Sequence, residues 1–265
     1  MKVELPPLLF GYMTVLIALL GLVMGSFLNC AAIRGATGEK ISRGRSHCMN
    51  CGHTLGAKDL VPVFSWLFLK GKCRYCGAKI SPKYMIAELV GGVVFVSIWL
   101  RLGVSLELVE FLIWAGILLW ISFRDLEDYI IPDGLIIAGI VLRVVFVLLS
   151  DNIGKAALQS LIGGLSLSVP ILLVVLLLEK VMKKDAMGGG DLKLLFMTGL
   201  YFKWSVNLAG FLFACILGLL SALLLPKLKN AEKQFPFGPA IAAGSWLALL
   251  FGEALIRWYM GFFGL

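Results

Sequence analysis

Charged residues are scarce in this chain. Asp, Glu, Lys and Arg together make up 15% of 265 residues, where an ordinary soluble domain carries about 25%. With 60% hydrophobic residues and a mean hydropathy of +0.94, that scarcity excludes a soluble globular enzyme of ordinary type, a disordered protein and a secreted disulfide scaffold. No convincing basic n-region or small-residue cleavage site accompanies the first apolar run, so that run is read as a retained helix rather than a signal peptide. No glycine-rich nucleotide loop of the soluble kind follows a strand, and the residues that bind any cofactor stay unassigned. Internal repeats of fixed period and low-complexity tracts are also missing. What remains is a polytopic membrane protein.

Eight apolar runs are present: Leu8 to Ile33, then roughly 84–100, 107–123, 130–149, 158–179, 192–203, 205–225 and 237–260. They predict an all-α protein of about eight transmembrane helices. The run at 192–203 is short and reads as a half-span or as a helix with a buried glycine-rich entry. A small polar domain, 34–83, lies between helices 1 and 2. The expected division is 1–33 for the first helix, 34–83 for the polar domain and 84–265 for a membrane core.

Basic residues orient the chain. The formal net charge is +8. Segment 34–83 accounts for all of it, holding ten Lys/Arg against Glu39 and Asp59. Placing this segment inside puts 18 of the 24 basic residues on cytoplasmic loops, among them Lys184, Lys227, Lys229 and Lys233. The positive-inside rule then sets both termini outside and the polar domain in the cytoplasm. Membrane topology explains the basic patch better than nucleic acid does, and no nucleic-acid partner is expected.

Four of the six cysteines form two knuckles, Cys48-x-x-Cys51 and Cys73-x-x-Cys76. This spacing suits a tetrahedral thiolate site for a structural Zn²⁺, and a cytosolic setting disfavours disulfides. Gly52 and Gly77 free the turns. His47 and His53 flank the first knuckle and are not expected as ligands. Cys30 and Cys215 read as buried small side chains.

Two acidic clusters stand at cytoplasmic span ends. One contains Asp125, Glu127, Asp128 and Asp133; the other is Gly188-Gly189-Gly190-Asp191-Leu192-Lys193. Ionisable groups in such places face cavities or partners. Two facing aspartates share a proton, so one can activate water while the other protonates a leaving group. The glycines would let an extended substrate lie along the backbone. The plainer reading makes Asp191 a helix N-cap, and residue type alone does not choose among the acids of the first cluster. Gly91, Gly92, Gly163 and Gly164 read first as packing positions and second as docking points for a substrate helix. A proton- or cation-coupled transporter is the alternative that such carboxylates also permit.

The motifs resemble those of the bacterial type IV prepilin leader peptidases, GxGD membrane aspartyl proteases. Gly25-Ser26-Phe27-Leu28-Asn29, the double CxxC domain, Gly71-Lys72-Cys73-Arg74, Tyr84 with Glu88-Leu89, Asp125 with Ile131-Pro132-Asp133, and Gly188 to Lys193 carry the likeness. The resemblance implies that Asp125 and Asp191 are the catalytic pair, that Gly188, Gly189, Gly190 and Lys193 belong to the active-site loop, and that proteolysis needs no metal. It implies cleavage of a basic leader after glycine at the cytoplasmic face of the bacterial inner membrane. Type IV prepilins and type II secretion pseudopilin precursors would be the substrates. It also implies N-methylation of the new N-terminus with S-adenosylmethionine, an activity associated with the double CxxC domain.

Overall fold

The computed structural model describes residues 5–40, 44–183, 187–224 and 236–262. Lys2, Arg43, Lys184, Lys227, Lys229 and Lys233, which enter the charge argument, lie outside these segments. The described residues are all-helical, with two isolated β-bridges and no strand. The chain forms two compact units, Met1–Phe123 and Arg124–Leu265.

In the first unit, α1 (Pro7–Thr37) is a 31-residue helix ended by Gly38 in the left-handed conformation, whose N–H returns to the Arg34 carbonyl. The polar segment then supplies a 3₁₀ turn at Ala57–Asp59 and a short α2 (Phe64–Phe68). α3 (Lys83–Leu102) and α4 (Leu106–Asp128) follow. α1 and α3 meet backbone to backbone. A Cβ on Gly21 would sit 2.6 Å from the Gly91 carbonyl oxygen, and one on Gly25 would sit 2.5 Å from that of Ala87. Small residues four apart on α1 thus accept α3 directly, the packing mode of helices in lipid, where close van der Waals contact drives association. Trp99, fully buried, donates its indole N–H to Thr14 at 2.9 Å and closes the same seam.

The second unit contains the end of α4, then α5 (Asp133–Leu148), α6 (Ile153–Met182), α7 (Gly189–Gly199), α8 (Trp204–Leu224) and α9 (Gly238–Leu247). A π-helical turn, Ala248–Gly252, joins α9 to α10 (Glu253–Phe262). Gly163 and Gly164 of α6 lie on Gly199, Leu200 and Phe202 at the end of α7, and Asn207 of α8 donates to the Gly163 carbonyl at 2.9 Å. Gly91, Gly92, Gly163 and Gly164 are therefore all engaged in internal packing. Arg143, a cation inside apolar α5, is absorbed by Ser160 at 3.0 Å and by the ring of Tyr201.

Among the described residues each of the eight apolar runs is mainly helical, and six helices are long and apolar enough to cross a membrane. α5 has 16 residues and α7 has 11. At about 1.5 Å per residue they rise roughly 24 and 16 Å, short of a hydrocarbon core of about 30 Å. One expectation is corrected: Cys215 is exposed on the helix surface rather than buried in protein, and Cys30 is half-buried. An apolar helix facing lipid hides its side chains in the bilayer, so hydropathy does not separate lipid-facing from protein-facing positions.

Candidate active site and metal centre

Asp125 lies in the last turn of α4 and is 4% exposed. Its Oδ2 accepts the backbone N–H of Gly238 at 2.9 Å. Gly238 opens α9, followed by Pro239 in the first turn, so its N–H is one of the donors that a helix start leaves without an internal partner. A carboxylate there also meets the positive end of the helix dipole. Glycine leaves room for this geometry, since a Cβ on residue 238 would stand 2.7 Å from the same carboxylate oxygen and make it shift.

Asp191 lies in the first turn of α7 and is half-buried. The N-cap of this helix is Gly188, in extended conformation, so Asp191 does not serve as the cap. Its backbone N–H returns to the Gly188 carbonyl at 3.1 Å, and its Oδ2 would be 3.2 Å from a Cβ on Gly188. Asp191 interacts electrostatically with Asp125. Ile131 ties the two segments together. Its side chain would be 3.1 Å from a Cβ on Gly190 and 3.4 Å from one on Gly238. Two carboxylates, a helix start and a glycine-walled approach thus converge within the second unit.

The neighbouring acids are otherwise engaged. Asp128 pairs with Arg124 one turn earlier at 2.6 Å, and Asp133 pairs with Lys193 at 2.7 Å. Lys193 therefore joins the start of α5 to the first turn of α7. Gly189 is open, with nothing near its missing side chain. Gly238 is the functional contact that sequence reasoning missed. Its available signal was Phe237-Gly238-Pro239 at the start of the last apolar run.

In the first unit, the Sγ atoms of Cys48, Cys51, Cys73 and Cys76 all lie within 4.8 Å of one another, a set able to hold a metal ion. Two copies of one backbone pattern bring them together. Cys48 N–H bonds the His53 carbonyl, Gly52 N–H the Cys48 carbonyl and Leu55 N–H the Ser46 carbonyl. Cys73, Gly77 and Ile80 repeat these bonds onto Ala78, Cys73 and Gly71. Gly52 and Gly77 occupy matching positive-φ positions, φ 68° and 73°. The knuckles are thus a local repeat of backbone as well as of the Cys-x-x-Cys-Gly pattern.

The cluster favours proton loss at Cys48 and at Cys76, the latter chiefly through the Ala78 backbone N–H. Backbone N–H groups of Cys51 and Asn50 bring Cys48 down to about 6. Cys51 is pushed up to about 11: the His53 N–H favours its thiolate, but desolvation and the neighbouring Cys48 and Cys76 sulfurs outweigh that help. His47 contacts the Arg45 carbonyl and His53 packs on the Tyr75 ring, with centroids 3.6 Å apart. Neither imidazole belongs to the four-sulfur set. Beside it, Asp59 accepts Arg74 at 2.6 Å, Tyr75 at 3.0 Å and the Gly56 N–H at 3.1 Å. The Arg74 guanidinium holds its carboxyl below the usual carboxylate range.

Comparison with known proteins gives concordant matches along the chain. Residues 19–102 match the Bacterial Peptidase A24 N-terminal domain, and residues 111–223 match the Type IV leader peptidase family. The prepilin leader peptidase/N-methyltransferase of Bacillus subtilis is 34% identical over 91% of this chain and 95% of its own length. The protein of the same name from Pseudomonas aeruginosa is 30% identical over 97% of this chain and 96% of its own. That of Myxococcus xanthus is 32% identical over 85% and 69%. No solved structure gives a significant match. With a dyad-like pair of aspartates in one unit, a four-cysteine centre in the other and these matches over nearly the whole length, the chain belongs to the type IV leader peptidase family.

Proposed function

We propose that this protein is a membrane aspartyl endopeptidase that removes the basic leader from type IV prepilins and pilin-like precursors, cutting after glycine at the cytoplasmic face. The observation that carries the reading is the pairing of buried Asp125, held by the Gly238 N–H, with Asp191 beside the Gly188–Gly190 approach. One carboxylate takes a proton from water as its oxygen attacks the scissile carbonyl carbon. The other, protonated, gives its proton to the departing amine nitrogen as the C–N bond breaks. Repulsion between the two like charges keeps one proton on the pair, which supplies both forms at once.

The same reading assigns N-methylation of the new N-terminal residue, the second activity in the names of the relatives. It assigns Zn²⁺ to Cys48, Cys51, Cys73 and Cys76 as a structural ion, because four thiolates complete its tetrahedron and leave no position for reactive water. Loop charges support an inner-membrane placement with both termini outside and the zinc domain in the cytoplasm. Type II secretion pseudopilins are included among the substrates.

A mass measurement tests this. Detergent-purified protein is incubated with a synthetic prepilin, with and without S-adenosylmethionine, beside Asp191→Asn. Leader loss with wild type alone, and a further gain of about 14 Da only with the donor, is the expected result. An intact substrate with folded, zinc-loaded wild type would overturn the peptidase and return attention to proton flux.

A further inference from the structure

The polar segment between α1 and α3 carries an apolar face that its own fold leaves uncovered. α2 turns Trp66 inward. The indole N–H donates to the Ile80 carbonyl at 3.2 Å, and the ring stands against Gly71, where a Cβ would lie 2.8 Å from it. Phe64, Leu67 and Phe68, at i, i+3 and i+4, share another face. All three are exposed, Phe68 at 81%. Leu60 and Val61, just before the helix, are exposed as well. Apolar side chains gathered on the surface of a small polar domain mark an interaction site.

The turn that starts α2 fixes where this face lies. Val63 has φ 65° and ψ −53°, and the Phe64 N–H closes onto the Pro62 carbonyl at 2.7 Å. That is a γ-turn of the rare positive-φ type, at a β-branched residue that avoids such angles. Glu88 of α3 holds it, accepting the Val63 N–H at 2.6 Å through one oxygen and the Ser26 hydroxyl of α1 at 2.7 Å through the other. Glu88 follows Lys83 by five residues in α3, and Ser26 precedes Arg34 by eight in α1. At about 1.5 Å per residue, the tie lies roughly 7 and 12 Å along these helices from those cations. Both helices are long and apolar enough to cross a membrane. The start of α2 is therefore pinned near the depth to which interfacial helices sink their apolar faces, about 5–10 Å.

Backbone bonding and charge suit that place. The N–H groups of Ser65 and Leu67 bond the Val61 and Val63 carbonyls at 3.0 and 3.1 Å. With those of Val63 and Phe64 they need no water, which hydrocarbon does not supply. Lys58, Lys70 and Lys72, on either side of α2 in sequence, are exposed. Asp59, one of two acids in segment 34–83, is neutralised by Arg74 at 2.6 Å. Apolar side chains flanked by lysines match a bilayer surface with anionic headgroups. We propose that α2 is a membrane-docking element: Phe64, Leu67 and Phe68 enter the boundary between headgroups and acyl chains, while Lys58, Lys70 and Lys72 meet anionic phospholipid. Docking holds the cysteine centre against the bilayer surface. The inference rests on reading α1 and α3 as membrane spans and is independent of the peptidase and methyl-transfer readings.

Full-length protein carrying a fluorescent amino acid at position 68, 19 or 49 is placed in nanodiscs of phosphatidylglycerol or of phosphatidylcholine with brominated acyl chains. Exposed Leu19 of α1 is the lipid reference, and exposed Met49 of the first knuckle is the aqueous one. Zinc content and melting temperature confirm folding. In phosphatidylglycerol, bromine should quench position 68 severalfold more than position 49, while aqueous acrylamide quenches 49 and spares 68. The bromine effect at 68 should weaken in phosphatidylcholine and in Lys58→Gln/Lys70→Gln/Lys72→Gln. Acrylamide quenching at 68 as strong as at 49 overturns the docking. Protection of 68 from both quenchers overturns it too, in favour of a second copy or another protein on this face. Equal bromine quenching at 68 in both lipids, unchanged in the lysine variant, overturns the anionic headgroup. Absence of bromine quenching at 19 overturns the span reading, and the docking with it.

Discussion

The Gly238 N–H reaches the Asp125 carboxylate at 2.9 Å across 113 positions of sequence. A backbone group thereby fixes the orientation of a buried acid, and a Cβ at 238 would stand 2.7 Å from the accepting oxygen, so any other residue requires the carboxylate to shift. Gly238→Ala should displace the carboxylate from its present position. A misplacement near 1 Å reduces turnover on the order of 10²-fold. The variant should insert normally, and its kcat on a synthetic prepilin checks the effect. Wild-type turnover would show that the contact positions nothing.

Asp125→Asn and Asp191→Asn should each remove leader cleavage while zinc content and insertion stay normal. An amide cannot shuttle the proton that the pair shares. Asp128→Asn and Asp133→Asn serve as contrasts, since those acids pair with Arg124 and Lys193. They should retain most activity. Cleavage by either dyad variant at the wild-type rate would reject the assignment.

The cysteine centre should contain about one zinc per chain. Cys73→Ser is expected to lose most of it, because Cys73 is the buried member of the four. Metal analysis of purified protein measures both quantities. A metal-free wild type with an intact 44–83 fold would refute the structural role.

Asp59 has a pH signature with a definite sign. Its pKa lies below the ordinary carboxylate value because Arg74 bonds the ionised form. Its stabilisation is therefore complete above the unfolded-state value, near 4, and is lost only as pH falls through the lower folded value. Asp59→Asn should lower the melting temperature of the domain by the same amount anywhere between pH 8 and 5. Zinc release on acidification affects both proteins alike. A gap that narrows inside that window would contradict the assignment.

Gly91→Val should open the α1–α3 seam. A Cβ there meets α1 backbone around Gly21 and Gly25, and overpacking of this kind destabilises by about 1–3 kcal/mol. Limited proteolysis of the first unit would register it. Unchanged protection would mean the helices part without consequence.

What could be read without coordinates was whatever residue type expresses. Helices, the cysteine set and the two acidic clusters each announce themselves through composition and spacing. Residue type alone does not choose among Asp125, Asp128 and Asp133, which are chemically alike; the ion pairs of Asp128 with Arg124 and of Asp133 with Lys193 set those two apart. Gly238 escaped because its contribution is an N–H that every residue but proline owns. The γ-turn at Val63 escaped for the opposite reason. A valine is the side chain least suggestive of those angles, and the force that holds it comes from Glu88, 25 residues away. Polarity changes at residues 33 and 83 set the expected limits of the polar segment. The boundary between compact units falls instead between Phe123 and Arg124, where the 107–123 apolar run gives way to charge but the helix continues unbroken to Asp128.

The matched backbone of the two cysteine knuckles has a kinetic consequence. Each half is a ready two-toothed chelate whose turn is closed by its own hydrogen bonds. A metal held there would be able to depart one tooth-pair at a time, with the first half open to a competing thiol while the second still grips. Exchange of labelled zinc into the protein should then run faster than global unfolding, and it should accelerate with the concentration of the incoming chelator.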